Sequence, residues 1–503
     1  MNTKFIFVTG GVVSALGKGI TAASLGNLLK ARGKSVVLQK MDPYINLGPG
    51  HMSPLQHGEV FVTEDGAETD LDIGHYERYT NEALGRYSNC TAGRVYYTVI
   101  ERERNGEYGG GTVQVIPHIT DEIKRVILAT TQNNPEIVIT EIGGTVGDME
   151  SLPFIEAIRQ LRGDLGEENC LFIHVTLVPY IQSAGELKTK PTQHSVKTLR
   201  SLGIQPDIIV CRAEMPLSDA LKQKVALFCN VTPRSVVANI DCDCLYRVPL
   251  LLYEEGLDSL VSEKLSITTP PPDLTDWSRM VQAYEEPKAT VTVGVVGAYT
   301  ALRDAYFSAA EALIHGGIAH QAAVDLVFID TKELLDFEKA KELLSPLGGI
   351  VLPAAYKEEI TPGHINAAKI ARELDISCLL TGVAMEALTR LDGRLSPMEQ
   401  LAMVKGSAPL SIKPGTLLER IYQSTDASER HRLDLFLPTG RLESLPQGVI
   451  VSATTPDGDI VEALECPDNA FLLALNSHPE FKSRPNDAHP VFSHFIGAVL
   501  QRK

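Results

Sequence analysis

Short apolar runs alternate with helical patterns along the first half of the chain. The runs at residues 4–9, 35–41, 136–141, 171–178 and 207–212 read as strands, with helix-like stretches such as 22–30 between them. That alternation predicts a parallel sheet covered by helices. It breaks at Thr268-Thr269-Pro270-Pro271-Pro272, where three prolines fix φ and remove backbone donors, so neither a helix nor a central strand passes through. The stretch marks a linker, 267–289, with a short piece at 277–284. A second strand-led unit opens at 290–297. It continues with helix 305–315, strands 323–329 and 349–353, helix 363–374 and strand 376–380. The expected organisation is α/β in two domains, 1–266 and 290–503, without internal repeats or low-complexity blocks.

Length and charge sharpen this picture. At 503 residues the chain exceeds one ordinary core. A net charge of -17 weighs against nucleic acid or an anionic membrane as a general partner. The eight cysteines lie without CxxC spacing; only Cys242 and Cys244 are close, and they read as reduced, partly buried thiols. This suits a cytoplasmic protein rather than a disulfide framework or a zinc site. The first apolar stretch is broken by Gly10-Gly11, unlike a signal peptide, and no apolar segment reaches membrane-spanning length.

The first candidate chemistry is TGGVVSALGKGIT at Thr9 to Thr21, between a predicted strand and a predicted helix. A glycine-rich turn there aims backbone N–H groups and a lysine at phosphate. It departs from the usual phosphate loop by one extra spacer residue and by Gly19 where a hydroxyl residue is common. Lys40 ends the second strand, Asp72 closes an acidic segment, and Glu141 ends an apolar strand before Gly143-Gly144. Carboxylates at strand ends opposite a phosphate loop suit Mg²⁺ held by few protein ligands and several waters. Glu64 and Glu68 fit a solvated acidic loop better. A second anion site is suggested by Lys188-Thr189-Lys190-Pro191-Thr192-Gln193, where charge, hydroxyl and a Pro-initiated helix converge.

With these segments in view, the first half closely resembles CTP synthase. The blocks GGVVSALGKG, SPLQHGEVFVTEDGAETDLDIGHYER (53–78), TVQVIPHIT (112–120), EIGGTVGDMES, LVPY, GELKTKPTQHSVK and ALFCNV occur in order from residue 5 to about residue 258. The resemblance implies a P-loop-type amidoligase domain that uses Mg²⁺ and ATP to phosphorylate O4 of UTP, after which ammonia displaces phosphate at C4. It implies that Ser14, Ala15, Leu16, Gly17, Lys18, Gly19 and Ile20 wrap the ATP phosphates, that Lys40 approaches them, and that Asp72 and Glu141 hold the metal. Ser14, Asp148, Met149, Glu150, Lys188 to Gln193 and Lys224 match UTP and CTP contacts. Arg212, Ile240, Asp241 and Cys242 match the adenine side, and His57 and Val60 the mouth for ammonia. Gly48 and His51 depart from the family loop beside that mouth; His51 is a candidate base for an incoming nitrogen nucleophile. A homotetramer is the family's expectation.

From residue 290 the chain resembles a flavodoxin-like class I glutamine amidotransferase domain, over a shortened stretch. Such a domain needs a Cys on a strand-to-helix elbow, a His to deprotonate it and a Glu to orient the His. Ser477-His478-Pro479-Glu480-Phe481 supplies His478 and Glu480. At the elbow the chain reads Leu380-Thr381-Gly382-Val383-Ala384, so Gly382 stands where the thiol belongs. The oxyanion-side segment is Pro353-Ala354-Ala355-Tyr356, short of the glycines that let N–H groups turn inward. Cys378 falls inside the preceding strand and reads as structural. Arg430-His431-Arg432 resembles part of the glutaminase and effector region, but Leu433-Asp434 follows in place of Tyr-Glu, which speaks against a GTP response. The expectation is amination of UTP by free or externally supplied ammonia. The alternatives are another small amine as nucleophile, suggested by Gly48 and His51, or a non-catalytic nucleotide-binding paralogue.

Overall fold

The computed structural model describes residues 3–13, 16–354, 358–394 and 396–502. Compactness separates two units: Met1–Gly48 with His75–Val281, and Pro49–Gly74 with Gln282–Lys503.

In the first unit seven strands form one parallel sheet: β1 (Lys4–Gly10), β2 (Val36–Asp42), β3 (Asn89–Thr91), β4 (Ile137–Ile142), β5 (Cys170–Leu177), β6 (Ile208–Ala213) and β7 (Val236–Ile240). Their spatial order is β7-β6-β5-β1-β4-β2-β3. The five strands expected from apolar runs all lie in it, because a strand covered on both faces leaves an unbroken apolar signature. The edge strand β3 has no such signature, being three residues long and starting with Asn89. The proline stretch is tied down: Arg32 donates to the Pro270 carbonyl at 2.8 Å and, through Nε, to the fully buried Asp258 at 2.6 Å. The piece around Trp277 is a helix, Thr275–Glu285, and the Trp277 indole donates to the Tyr246 carbonyl at 2.7 Å.

In the second unit nine strands form a mixed sheet: β8 (Ala289–Gly297), β9 (Ala322–Asp330), β10 (Gly349–Ala354), β11 (Ser377–Gly382), β12 (Glu399–Ile412), β13 (Asp426–Pro438), β14 (Ile450–Thr454), β15 (Ile460–Glu465) and β16 (Leu472–Leu475). The order is β9-β8-β10-β11-β16-β15-β13-β12-β14. The first five are parallel and the rest attach antiparallel. The long β12–β13 hairpin is invisible as an apolar run because most β12 positions are exposed or half-buried. Among the described residues no helix is long and apolar enough to cross a membrane.

The segment 49–74 corrects the reading of Glu64 and Glu68 as a solvated loop. Arg430, on β13 and fully buried, donates to Glu64 at 3.0 Å and to the Val62 carbonyl at 3.0 Å, with its guanidinium over the Phe61 ring. Arg432 bonds Glu68 at 3.0 Å and the Gly50 carbonyl at 3.0 Å, and Lys405 also pairs with Glu68. Burial alone would push both carboxyls up. The Ser407 hydroxyl with Arg430, and Lys405 with Arg432, outweigh it and hold them below the ordinary carboxylate value. Acidic residues in a loop look solvated until long-range partners fold against them. Replacing Arg430 by Met should leave Glu64 with Ser407 but no cation and take a donor from the Val62 carbonyl, costing about 2 kcal/mol. A urea titration of the variant, with the midpoint falling at unchanged slope, checks this.

Candidate active site

The phosphate loop leaves β1 at Gly10. A Cβ there would come within 2.4 Å of the Lys18 side chain, so only glycine lets the lysine stem lie across the strand end. Lys18 opens the helix Lys18–Ala31, is 9 % exposed, and its ammonium donates to the Gly144 carbonyl at 2.9 Å. Val12 holds φ at 89°, a conformation costly for a β-branched residue and common where a loop is shaped for a ligand. Gly17 caps the helix, and Leu16 and Gly19 are buried, so they offer a phosphate only backbone groups. Ile20 is half-buried. Ser14 and Ala15 lie outside the described residues.

Parallel register brings partners to the same sheet edge. Glu141 lies opposite Val8 on β1 and opposite Lys40 on β2. Glu141 is 3 % exposed and accepts a hydrogen bond from the Tyr76 hydroxyl, a partner with no sequence signal. Lys40 is buried beside Asp42 at 3.5 Å. Asp72 belongs to the second unit, half-buried in the first turn of the helix Asp72–Thr80, with its N–H on Asp70. Among the described residues no cluster of three or more His, Cys, Asp or Glu is placed to hold a metal. A buried carboxylate at the strand edge fits Mg²⁺, which keeps most of its waters.

Of the residues expected beside the adenine, Arg212 at the end of β6 donates to Asp241 at 2.8 Å and approaches within 3.0 Å of where a Cβ on Gly17 would sit. Ile240 ends β7, and Cys242 is half-buried with its thiol pushed up by burial. Thr189 caps the helix Lys190–Ser201, which carries Pro191 in its first turn and Lys190 exposed. Lys188 pairs with Glu186, and Gln193 donates to the Thr189 hydroxyl at 3.1 Å. Thr192 is fully buried and donates to the Leu177 carbonyl at 2.9 Å, which makes it a strut of the helix rather than an exposed ligand. Asp148, Met149 and Glu150 are exposed ahead of the helix Leu152–Leu165, and Lys224 is exposed on Asp219–Cys229.

His174 was missed because a histidine in an apolar strand carries no motif. It is fully buried, bonded to Thr9 at 2.8 Å and Ser195 at 2.8 Å, and so bridges β1 to the helix after Thr189. Burial, with help from Lys18, pushes its imidazole down to about 3. The folded chain therefore refuses a proton that the unfolded chain accepts below about 6.5. Stability should fall by about 1.4 kcal/mol per pH unit as the solution is acidified from there toward 3. His174→Asn, assayed by denaturant unfolding across that window, should show a shallower slope.

In the second unit, β11 ends in the elbow. Gly382 has φ 60°, and its N–H donates to the Ser477 carbonyl at 3.1 Å, before the helix Met385–Thr389. The left-handed turn that presents a nucleophile elsewhere is thus folded here without a side chain. His478 Nδ1 lies 2.7 Å from Glu480, and the Thr381 hydroxyl donates to the same carboxylate oxygen at 3.4 Å. Cys378 is fully buried, with its thiol pushed up by desolvation. Ala355 and Tyr356, from the oxyanion-side segment, lie outside the described residues. A cavity of about 240 Å³ has a described lining drawn from the second unit, His51, Val60, His478 and Glu480 among it. His57, by contrast, is turned to Asp70 at 3.4 Å.

A parallel sheet with a phosphate loop, joined to an amidotransferase-type sheet with its His–Glu pair, defines a two-domain nucleotide-using synthetase. A family model described as CTP synthase N-terminus matches residues 4–267, and one for class-I glutamine amidotransferase matches residues 301–498. CTP synthases of Carboxydothermus hydrogenoformans and Pelotomaculum thermopropionicum are 50% identical to this chain over 530 and 531 residues, covering 99% of it and 99% of each relative. The chain belongs to the CTP synthase family. A solved structure, the Trypanosoma brucei CTPS glutaminase domain with bound acivicin, is 26% identical over 42% of this chain and 95% of its own, with a TM-score of 0.39.

Proposed function

We propose that this chain converts UTP to CTP with ATP, drawing ammonia from solution or from another protein because its own second domain releases none. The observation that carries the reading is the folded elbow with Gly382 at its apex, in a chain whose Lys18 is held at the phosphate loop. In this reading residues 1–266 are the amidoligase domain, 267–289 the linker and 290–503 a degenerate amidotransferase domain, working in the cytoplasm as a homotetramer.

The chemistry follows from the leaving group. A uracil carbonyl oxygen does not depart as oxide, so O4 first attacks the γ-phosphorus of ATP as N3 gives up its proton, and ADP leaves. Ammonia then adds at C4, phosphate departs, and the nitrogen loses a proton to give the amine. Catalysis of this kind is positioning and charge neutralisation. Lys18 meets charge on the transferring phosphoryl group. Lys40 adds a second cation, and Arg212 and Asp241 border the adenine. Lys188, Lys190 and Gln193 hold the UTP phosphates at the head of their helix. Glu141 and Asp72 would hold Mg²⁺, which would supply positive charge against the phosphates when bound. The test incubates the purified chain with UTP, Mg·ATP and ammonium chloride and follows CTP by chromatography. CTP should accumulate in step with ADP; its absence at every ammonium concentration defeats the reading.

A further inference from the structure

The His478–Glu480 pair is intact although it has no thiol to activate. The buried Glu480 carboxylate oxygen lies 2.7 Å from Nδ1, so accepting there it holds the imidazole proton on Nδ1 and leaves the lone pair on Nε2. Nε2 makes no hydrogen bond with any described residue, and His478 lines the cavity described above. Phe481 stacks on the ring at 5.2 Å and fixes its plane. An imidazole oriented through Nδ1, lining a small cavity and with Nε2 unbonded among the described residues, has the form of a base.

The other titratable groups around it say which acid fits. Glu59 reaches the cavity from the segment 49–74 and is held by the Ser308 N–H at 3.0 Å, at the start of the helix Phe307–Ala319. His51 enters from the same segment, and Tyr299 and Tyr306 contribute aromatic walls, the Tyr306 hydroxyl being bonded to Glu358 at 2.8 Å. Arg432 is the one fixed cation of the described lining, and Glu68 meets its charge at 2.9 Å. Two carboxylates, a neutralised arginine and aromatic rings make an enclosure suited to a small cation.

We propose that this cavity admits ammonium and that His478 is the catalytic base that converts it to ammonia. The inference rests on the ammonia-dependent reading above. One N–H bond of ammonium breaks, its proton passes to the lone pair on Nε2, and neutral ammonia is left with its own lone pair for attack at C4. The imidazolium, facing Glu480, returns the proton to solvent between turnovers. Amination needs the neutral species, while near neutral pH nearly all of the nitrogen is protonated, so a base at the intake lets the enzyme draw on the abundant form.

The experiment measures kcat/KM for total ammonia from about pH 7 to about pH 9 for the full chain, His478→Asn and Glu480→Gln. The ratio of variant to wild type cancels every titration the proteins share. For His478→Asn the ratio should fall at least about tenfold from the alkaline end to pH 7, since that variant uses only ammonia already present in solution. Glu480→Gln should fall in the same direction. A wild-type slope well below tenfold per pH unit supports the same conclusion even where a variant does not fold. A ratio independent of pH, or a wild-type slope of about tenfold per unit, overturns the proposal while leaving CTP formation from ammonia standing. No CTP from ammonium at any pH removes the underlying reading and this inference together.

Discussion

Supplied with glutamine in place of ammonium, the chain should make CTP at less than about one ten-thousandth of its ammonium-dependent rate. Removal of the nucleophile alone from a hydrolytic triad costs about a millionfold, because the remaining members have nothing to activate. Here the remaining members are in order: His478 and Glu480 are 2.7 Å apart, and the elbow turns through φ 60° at Gly382. No neighbouring side chain steps in. Cys378 is four strand residues earlier, about 13 Å along the backbone, and buried. The Thr381 hydroxyl is fully buried and spends its proton on Glu480. The measurement is CTP formation with each donor, alongside glutamate release from glutamine. A thioester trapped on any cysteine after incubation with glutamine contradicts the expectation.

Lys18→Ala should lower CTP formation about a thousandfold at saturating ammonium. A preorganised donor aimed at developing charge is worth about that in a water-poor site. Lys18 meets both conditions, since its ammonium is anchored on the Gly144 carbonyl and its stem is nine-tenths buried across Gly10. Lys18→Arg should rescue little. The wider guanidinium has to pass the same strand end, where even a methyl on Gly10 would meet the lysine stem at 2.4 Å. The loss should fall on kcat more than on KM for UTP, and single-turnover ADP release locates it in phosphoryl transfer. An unchanged kcat would remove Lys18 from the chemistry.

The sequence by itself determined the parallel sheet of the first unit, the strand-led α/β start of the second, the glycine-rich loop and the missing thiol. Buried strands must be apolar on both faces, a phosphate loop must be glycine-rich between strand and helix, and a nucleophile is present or absent as a residue. Tertiary structure alone decided what depends on contacts between distant positions. It turned Glu64 and Glu68 from an acidic loop into partners of Arg430, Arg432 and Lys405, some 340 to 370 residues away in the chain. It joined Tyr76 to Glu141 and His174 to Ser195, and it opened a cavity with His51 and His478 on its walls. Such pairings leave no periodicity or spacing to read, because a single polar side chain looks the same in sequence whether water or a buried arginine waits for it.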